Sequence, residues 1–450
     1  MSARVAVVIC NWNKKEYVLR CLDSLQKSTY RDIDIMVVDN ASSDGSAEAI
    51  RAQFGNQVTL LVNERNLGGS GGFNTGLRQA LSGSYTYIYL LDNDVMVDAA
   101  ALQELVSYME DHEDVAAVGS KLFVLDRPYE IQEMGASIDW ERFNVNPHYK
   151  GAVDNGTLPE IVECDYVPAC SVLIRSEVIR QVGLLDEQCF IYWDDIEWFY
   201  RMKLAGYRVV ANGKSKVWHK MGAANRTSTF PTYYFWRNRI RFFVKYTHES
   251  SRSYFVDRLF DDMFRAVYFS NYKGQLQTAR TVLLAVEDAI GGISGKALEG
   301  RVVQREPLEE TFNRIIQEQH RIAIKDNAHM NHLRDIFDRI VQVNPSAQIV
   351  LIAGKHEPEL LKGQFNCGIY TESAPASGYF ICEACDHIVE VRNQLERSVD
   401  LYVDGYFNTA HTDQDMQSLR GFDSALNVYL NIYKPVLDIK IKELHTIMSS

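Results

Sequence analysis

The sequence has no uncharged apolar run of about 18 residues and no dense cluster of basic residues. The first absence excludes a transmembrane helix, which needs about 20 apolar residues to cross the hydrocarbon core. The second excludes a general nucleic-acid binder, because phosphate backbones are held by dense positive charge and the formal net charge here is -12. The N-terminal residues also lack the charged, apolar and small-residue order of a secretion signal. We therefore expect a cytoplasmic protein whose membrane contact, if any, is peripheral, at the inner face of the cell membrane.

The eight cysteines are scattered and form no recognisable framework. Cys10, Cys164 and Cys170 fall in apolar stretches, where reduced thiols act as small core residues. Cys382 and Cys385 form one C-x-x-C, but a zinc or redox site of this kind needs a second pair at matching spacing. No serine or cysteine stands in a constellation typical of nucleophilic catalysis, so the sequence gives no support to a covalent enzyme intermediate.

What the sequence does contain is a regular alternation of strand and helix patterns in its first third. Short apolar runs predict strands, and amphipathic stretches predict helices. The predicted strands cover residues 5–10, 33–39, 58–63 and 87–91, and the predicted helices cover residues 17–26, 46–54 and 72–81. This alternation is typical of βαβ units with a mainly parallel sheet, in which ligands bind at the carboxyl ends of the strands. Asn11, Asp39 and Asp92 fall at such ends.

The length of 450 residues predicts two or three domains. Residues 1–228 carry the α/β pattern. Residues 229–300 become aromatic and basic, with long helical periodicity, and residues 301–450 mix strand and helix patterns. We expect an α/β domain, then a helical extension, then a small accessory domain of α/β or mostly helical structure whose role the sequence does not reveal.

The segment Asp92-Asn93-Asp94 is a D-x-D motif at the end of a predicted strand. In an extended segment, residues two apart point the same way, so the carboxylates of Asp92 and Asp94 can face one hard cation. A diphosphate would complete the coordination of that cation. The alternative is a turn or a helix start rich in Asp and Asn, which needs no ligand.

Two segments upstream give this motif a context. Residues 37–46 run from a strand into a polar turn at Asp39, whose side chains and free backbone groups can hold a nucleoside. Residues 66–74 form a glycine-rich loop leading into a helix, where the backbone can come close to a phosphate or sugar oxygen. Either segment alone could be an ordinary turn or loop. Their order, a polar turn, a glycine loop and then D-x-D, is what makes the pattern specific.

Residues 190–198 set three carboxylates among large aromatic side chains. On a helix start, Asp194 and Glu197 would share one face and Asp195 would point elsewhere. Aromatic surroundings can raise the pKa of a carboxylate toward the range of a general base, and flat rings suit sugars. The alternative is that Asp194 or Asp195 caps the helix. Further along, His219 is a lone histidine, which taken alone is more typical of a structural role.

Taken together, residues 5–241 resemble the family 2 glycosyltransferases of the GT-A fold. The resemblance implies metal-dependent, inverting transfer of a sugar from a nucleotide diphosphate, with Asp195 as the catalytic base. It also implies that Mn²⁺ or Mg²⁺ is held by Asp92, Asp94 and His219. The residues expected to bind the nucleotide sugar are Asn11, Trp12, Asn13, Asp39, Asn66, Gly68, Gly69, Asp92, Asn93, Trp193 and Asp194.

Within that family, the sequence is most similar to bacterial galactofuranosyltransferases and rhamnosyltransferases of surface polysaccharides. The similarity rests on residues 68–73, 133–135, 193–195 and 218–219, followed by residues 233–234 and 237–239. It implies a UDP- or dTDP-linked donor and, as acceptor, a hydroxyl of a glycan or a lipid-linked glycan. Asn93 departs from the pattern, because galactofuranosyltransferases often carry a third acid there. The resemblance therefore defines the reaction more closely than the donor sugar.

Two other functions remain open. A sugar nucleotidyltransferase also uses a parallel sheet and acidic metal ligands, but usually opens with a glycine-rich basic loop, where this chain has Asn11-Trp12-Asn13-Lys14. A non-catalytic nucleotide-sugar-binding scaffold would keep the same residues. Turnover assays would distinguish such a scaffold from an enzyme. Whether the chain forms a homo-oligomer is also open.

Residues 233–258 interleave aromatic and basic side chains on an otherwise acidic protein. Such a helix suits an anionic lipid surface, where a lipid-linked acceptor would be presented. The alternative is that the aromatic rings pack on the catalytic domain, with Arg237 and Arg239 serving the donor or neighbouring acids.

Overall fold

The structure is a computed structural model, and it describes part of the chain in full. The described residues are 3–220, 227–272, 275–306, 310–371, 378–388, 396–405, 407–410, 415, 419 and 421–449. Within these ranges the chain forms two sheet-based units and a group of long helices.

The first unit is built on a ten-stranded sheet in the described part of the chain. Its strands, with the separate hairpin β8-β9, are β1 (Val5–Asn11), β2 (Ile33–Asp39), β3 (Val58–Val62), β4 (Tyr87–Asp92), β5 (Val95–Val97), β6 (Val115–Val124), β7 (Arg127–Glu133), β8 (Ala136–Asp139), β9 (Asn144–Pro147), β10 (Ile161–Cys164), β11 (Ser171–Arg175) and β12 (Arg208–His219). The order is β10-β12-β6-β11-β4-β1-β2-β3, with β5 paired to β12 and β7 to β6. Strands β3, β2, β1 and β4 are parallel, and β11 runs antiparallel between β4 and β6.

Helices connect and cover these strands. They are α1 (Lys15–Leu25), α2 (Ser46–Phe54), α3 (Gly68–Leu81), α4 (Ala101–Asp111), α5 (Ser176–Val182) and α6 (Asp194–Leu204). Strand β1 is almost wholly buried, as expected for a continuous apolar run covered on both faces. The predicted α/β class with a mainly parallel sheet is confirmed. The largest difference in a boundary is at α3, which begins at Gly68 rather than at residue 72, so the glycine-rich segment is itself the first turn of the helix.

The strand register brings the predicted polar residues to one edge of the sheet. Asn11 pairs with Asp39 across β1 and β2, and Cys10 pairs with Asp92 across β1 and β4. Parallel strands end at the same edge, so the D-x-D motif and the turn after β2 lie side by side.

The aromatic and basic segment folds into α7 (Phe230–Tyr246), followed by α8 (Arg252–Tyr272) and α9 (Leu276–Ile290). Most of its aromatic and basic side chains are buried against the first unit and one another: Tyr233, Tyr234, Arg237, Arg239, Arg241, Phe242, Phe243 and Phe255. Arg237 donates to the carbonyl oxygen of Cys189, and Arg239 pairs with Asp262. The packing alternative therefore accounts for this segment, since aromatic rings buried in protein cannot lie in a lipid surface. Every helix in the described ranges is too short or too polar to cross a bilayer.

The second unit is a smaller, mostly parallel sheet. Its elements are α10 (Glu310–Gln317), β13 (Arg321–Asn327), α11 (Met330–Val343), β14 (Gln348–Ile352), α12 (Pro358–Gln364), β15 (Gly368–Tyr370), β16 (Phe380–Cys385), β17 (Leu401–Asp404) and β18 (Thr409–Ala410). The order is β15-β14-β13-β16-β17-β18, and only the β17-β18 pair is antiparallel. Of the two structures expected for the accessory region, the described residues adopt the α/β one.

A last helix, α13 (Phe422–Ser449), returns from the second unit to the first. Its residues Leu437, Ile441 and Leu444 are buried in the same apolar core as α7, α8, α9 and the large sheet. The domain boundaries predicted at residues 228 and 300 stay predictions, but α13 shows that the core of the first unit draws on residues beyond both of them.

Candidate functional site

Polar side chains from β1, β2 and β4 interlock at the edge of the sheet. Asn11 Oδ1 accepts a hydrogen bond from Asn93 Nδ2 at 2.8 Å, and Asn11 Nδ2 donates to Ser42 Oγ at 3.3 Å. Asp39 is buried and accepts from the backbone N–H of Ser42 at 3.2 Å. The structure therefore brings together Asn11, Asp39 and Asn93, three residues predicted to bind the nucleotide sugar.

The loop after β1 carries two more of the residues predicted to bind the nucleotide sugar, Trp12 and Asn13. Asn13 adopts a φ of 51°, and its side-chain oxygen accepts from the backbone N–H of Ser43 at 2.7 Å. This contact ties the loop to the turn after β2. The Trp12 side chain is 48% exposed beside the sheet edge.

Asp92, Asp94 and His219 place three ligand atoms within 4.8 Å of one another. β4 ends at Asp92, the following turn carries Asp94, and β12 ends at His219. His219 Nε2 lies 3.2 Å from Asp94 Oδ1 and 3.8 Å from Asp92 Oδ2. Carboxylate oxygens suit Mg²⁺ and Mn²⁺, and an imidazole nitrogen favours the softer Mn²⁺. The three residues expected to hold the metal thus lie together, and their donor atoms fit such an ion.

Two residues that the sequence did not single out complete this cluster. His219 Nδ1 lies 2.9 Å from Gln132 Oε1, and because that oxygen only accepts, Nδ1 carries a proton and Nε2 faces the two acids. Lys14 Nζ donates to Asp94 Oδ2 at 2.5 Å. Burial alone would raise the pKa of Asp94, but the hydrogen bond from His219 lowers it overall, and Lys14 adds to this decrease. Burial alone would lower the pKa of His219, but the hydrogen bond with Asp94 and the charge of Asp94 raise it.

The three carboxylates at the start of α6 have different partners. Asp194 accepts a hydrogen bond from Ser70 Oγ at 2.9 Å, which ties it to α3. Glu197 accepts from Lys245 Nζ of α7 at 2.8 Å, so it joins two helices and is already occupied as a structural anion. Among the described residues, Asp195 is the acid of the three that receives no hydrogen bond from another side chain.

Asp195 has the environment that a general base needs. Its hydrogen bonds come from backbone N–H groups, of Ala169 at 3.4 Å and of Ile196 at 2.8 Å. Burial raises the pKa of Asp195 to about 7, with a further contribution from the negative charge of Asp194. A carboxylate that titrates near neutral pH takes a proton from a hydroxyl more readily than an ordinary one does.

Glu133, at the end of β7, is a further acid of this site. One of its carboxylate oxygens is buried and has no hydrogen-bond partner among the described residues. Burial raises the pKa of Glu133 to about 8, and the charge of Asp195 adds to the rise. The sequence carried a signal, because Glu133 belongs to a segment on which the family resemblance rests. That segment gave Glu133 no role of its own.

The loop that leads into α6 is strained. Phe190, Tyr192 and Trp193 have φ values of 66°, 63° and 66°. This left-handed region costs a non-glycine residue about 1–3 kcal/mol, and such strain clusters at functional sites. Asn238 of α7 holds the loop by donating to three carbonyl oxygens of residues 189–192, at 2.8–2.9 Å. The buried helix α7 thus fixes the backbone that presents Asp194 and Asp195.

Two residues expected to bind the nucleotide sugar contact this loop. Gly68 has a φ of 78°, and a Cβ there would overlap the carbonyl oxygen of Phe190, so the glycine makes room for the loop. Trp193 is 2% exposed, and its ring packs edge-on against Phe235 of α7. The aromatic residues near Trp193 suggested a sugar-binding surface in the sequence, and in the structure the Trp193 ring packs among aromatic rings in the core.

Asn66 and Gly69 lie on either side of Gly68. Asn66 Oδ1 accepts from the backbone N–H of Gly68 at 2.8 Å, so it satisfies the start of α3. A Cβ on Gly69 would lie 3.6 Å from the Ile191 side chain and 3.9 Å from Asp194 Oδ2. A side chain as small as alanine would therefore make ordinary van der Waals contacts at Gly69, beside Asp194.

Comparison with known proteins gives a family match and distant relatives. Residues 6–173 match the family described as "Glycosyl transferase family 2". The galactofuranosyltransferase GlfT1 of Mycolicibacterium smegmatis is 26% identical over 204 residues, which cover 45% of this chain and 66% of that protein. The O-antigen biosynthesis protein RfbC of Myxococcus xanthus is 24% identical over 242 residues, which cover 52% of this chain and 19% of that protein. The chain thus spans less than two thirds of either relative.

A solved structure is also similar. The crystal structure of GalNAc-T7 with UDP, GalNAc and Mn²⁺ aligns with a TM-score of 0.47 at 18% identity, over 57% of this chain and 50% of that chain.

Proposed function

Since residues 6–173 of this chain belong to glycosyltransferase family 2, as the motifs predicted, we propose that it is a metal-dependent, inverting glycosyltransferase. It takes a sugar from a UDP- or dTDP-sugar and transfers it to a hydroxyl group. One observation carries the proposal. The cluster of Asp92, Asp94 and His219 lies at the same edge of the sheet as Asp195, and the charge of Asp92 acts on the pKa of Asp195.

In this proposal the residues divide the work of a single displacement. Asn11, Trp12 and Asp39 hold the nucleoside. Bound to Asp92, Asp94 and His219, Mn²⁺ or Mg²⁺ would stabilise negative charge on the departing diphosphate. Asp195 accepts the proton of the acceptor hydroxyl, whose oxygen attacks the anomeric carbon on the face opposite the diphosphate. One carbon–oxygen bond forms as another breaks, so the configuration inverts.

The donor sugar and the acceptor form the finer part of the proposal. Galactofuranose or rhamnose is the sugar, and a glycan or lipid-linked glycan of a bacterial surface polysaccharide is the acceptor. Two observations support this choice. One relative is named as a galactofuranosyltransferase, and another as an O-antigen biosynthesis protein.

The experiment that tests the metal role compares Asp92→Ala and Asp94→Ala with the wild-type chain. Purified protein is supplied with Mn²⁺ and a panel of UDP- and dTDP-sugars, and release of the nucleoside diphosphate is measured. We expect each substitution, or excess chelator, to lower transfer by at least roughly a hundredfold, because a bound metal contributes several kcal/mol to the transition state.

The matched control is Asp111→Ala, which removes an exposed acid at the end of α4. It should leave transfer unchanged. Full activity of either ligand variant, or of the wild type in excess chelator, would contradict the metal-dependent mechanism.

A further inference from the structure

Arg305 is a basic residue that has no acidic partner among the residues that the structure describes. Its Nη2 donates to Thr232 Oγ1 at 2.6 Å, and its backbone N–H donates to the carbonyl oxygen of Thr227 at 2.7 Å. Its Nε is buried and has no hydrogen-bond partner, and no described carboxylate lies within ion-pair distance of its guanidinium. By contrast Arg301, which lies four residues earlier, forms an ion pair with Asp288 at 2.8 Å.

The segment that carries Arg305 is fixed beside the strained loop. The backbone of Val303 accepts from the N–H of Thr229 at 2.8 Å, and Thr229 Oγ1 accepts from the N–H of Val303 at 3.0 Å. The neighbouring Val302 packs against the same apolar cluster as Tyr192. Arg305 is thereby held at the start of α7, next to the loop that presents Asp194.

Tyr192 connects this position with the candidate active site. The phenol of Tyr192 lies close enough to Arg305, and also to Asp92 and Asp194, to interact electrostatically with each of them. Burial lowers the pKa of Arg305, and the nearby Tyr192 opposes this change only in part. A partly buried, unpaired charge is unfavourable, and an anionic ligand that binds it removes the cost.

We propose that Arg305 binds a phosphate group of a substrate, through the edge of its guanidinium that has no protein partner. A guanidinium matches phosphate oxygens in a planar, two-point geometry. The inference rests on the proposed function, which supplies two sources of this chemistry. One is the diphosphate of the nucleotide-sugar donor, and the other is a diphosphate on a lipid-linked acceptor. Arg305 lies outside the family match at residues 6–173.

The test measures binding by calorimetry, in two arms, for the wild type, Arg305→Gln and Arg305→Lys. The first arm titrates UDP and dTDP in the presence of Mn²⁺. The second titrates inorganic pyrophosphate into protein already saturated with the nucleoside diphosphate that binds. The control is Arg280→Gln, which removes an exposed cation from α9 and changes the net charge equally. Thermal unfolding of each variant verifies that it is folded.

We expect Arg305→Gln to weaken binding by roughly tenfold to a hundredfold in one arm, as is usual for a hydrogen bond to a charged group. Arg305→Lys keeps the charge but not the planar geometry, and should lose less. Loss in the first arm identifies the donor diphosphate, and loss in the second identifies the acceptor side. Equal binding by wild type and both variants in both arms would overturn the inference while leaving the proposed function standing. A wild type that binds no nucleoside diphosphate would overturn both.

Discussion

At the scale of single residues, Asp194 and Asp195 are neighbours in sequence with different surroundings. Asp194 accepts a hydrogen bond from a hydroxyl of α3, whereas Asp195 accepts from backbone N–H groups near the candidate metal-binding residues. We therefore expect Asp195→Asn to remove turnover while nucleotide-sugar binding persists, because losing a base affects the chemical step and not ground-state affinity. Turnover and calorimetric binding should be measured on the same preparation. If Asp194→Asn abolishes turnover and Asp195→Asn does not, the catalytic base is Asp194 and not Asp195.

The pKa of Asp195 also sets a pH dependence. Its pKa is raised to about 7, so below that pH the carboxyl is increasingly protonated and cannot accept a proton. We expect kcat/KM to fall by about tenfold per pH unit on the acid side of about pH 7, and to level off above it. The profile should be recorded with saturating Mn²⁺, so that metal loss does not imitate the effect. A rate that stays constant well below neutral pH would rule out a base with this pKa.

The sequence could predict some of these residues and not others, for physical reasons. Asp92 and Asp94 could be paired because side chains two apart in an extended segment share a direction. His219 needed the family resemblance, since 125 positions of chain separate it from Asp94 and only the fold brings them together. Gln132 and Lys14 could not be found, because a long polar side chain beside a metal ligand looks like any surface residue in sequence.

At the scale of elements, the start of α3 and the loop before α6 are built to fit each other. A Cβ on Gly68 would overlap the backbone of that loop, while a Cβ on Gly69 would make only ordinary van der Waals contacts. We expect Gly68→Ala to lower stability by about 2 kcal/mol or more, because a Cβ would meet both a positive φ and the Phe190 carbonyl. Gly69→Ala should change stability by less than about 1 kcal/mol, since alanine favours a helix. Denaturant unfolding of the pair measures the difference, and equal stabilities would mean that the loop does not press on Gly68.

The strand and helix patterns correctly predicted the elements from β1 to β4, and with them the α/β class of the first unit. They failed where a pattern has two physical causes. Aromatic and basic residues alternate in the same way on a helix at a lipid surface and on one that fills a protein core, and α7 is the second kind. Positive φ values at bulky residues such as Phe190 and Tyr192 are also invisible to propensity, because the tertiary contacts of Asn238 impose them.

At the scale of the whole molecule, α13 belongs to a core that began more than 400 residues earlier in the chain. Ile441 is 0% exposed, whereas Ile439 on the same helix is 56% exposed. We expect Ile441→Ala to lower the free energy of unfolding by about 2–5 kcal/mol through lost packing. Ile439→Ala should have an effect within about 0.5 kcal/mol. A first unit that unfolds at the same temperature in both variants would show that α13 is not part of its core.

Local patterns could not reveal this return of the chain. The strands of the accessory region were partly predictable, but a helix pattern shows only that one face is apolar, not which unit covers it. The links between the two units are likewise long-range. Arg334 of α11, for example, pairs with Glu130 of β7. Such contacts depend on the assembled fold and leave no periodic signal.

The late position of α13 has a consequence for how the protein is made. Helices α7 to α9 leave the ribosome with the face that α13 will cover still open to water. The roughly 150 residues between the end of α9 and Leu444 take about 8–30 s to synthesise at about 5–20 residues per second. During that interval the nascent chain displays an apolar surface while the second sheet is still being translated. We therefore expect the polypeptide to engage chaperones at the ribosome, and to release them once residue 444 has emerged.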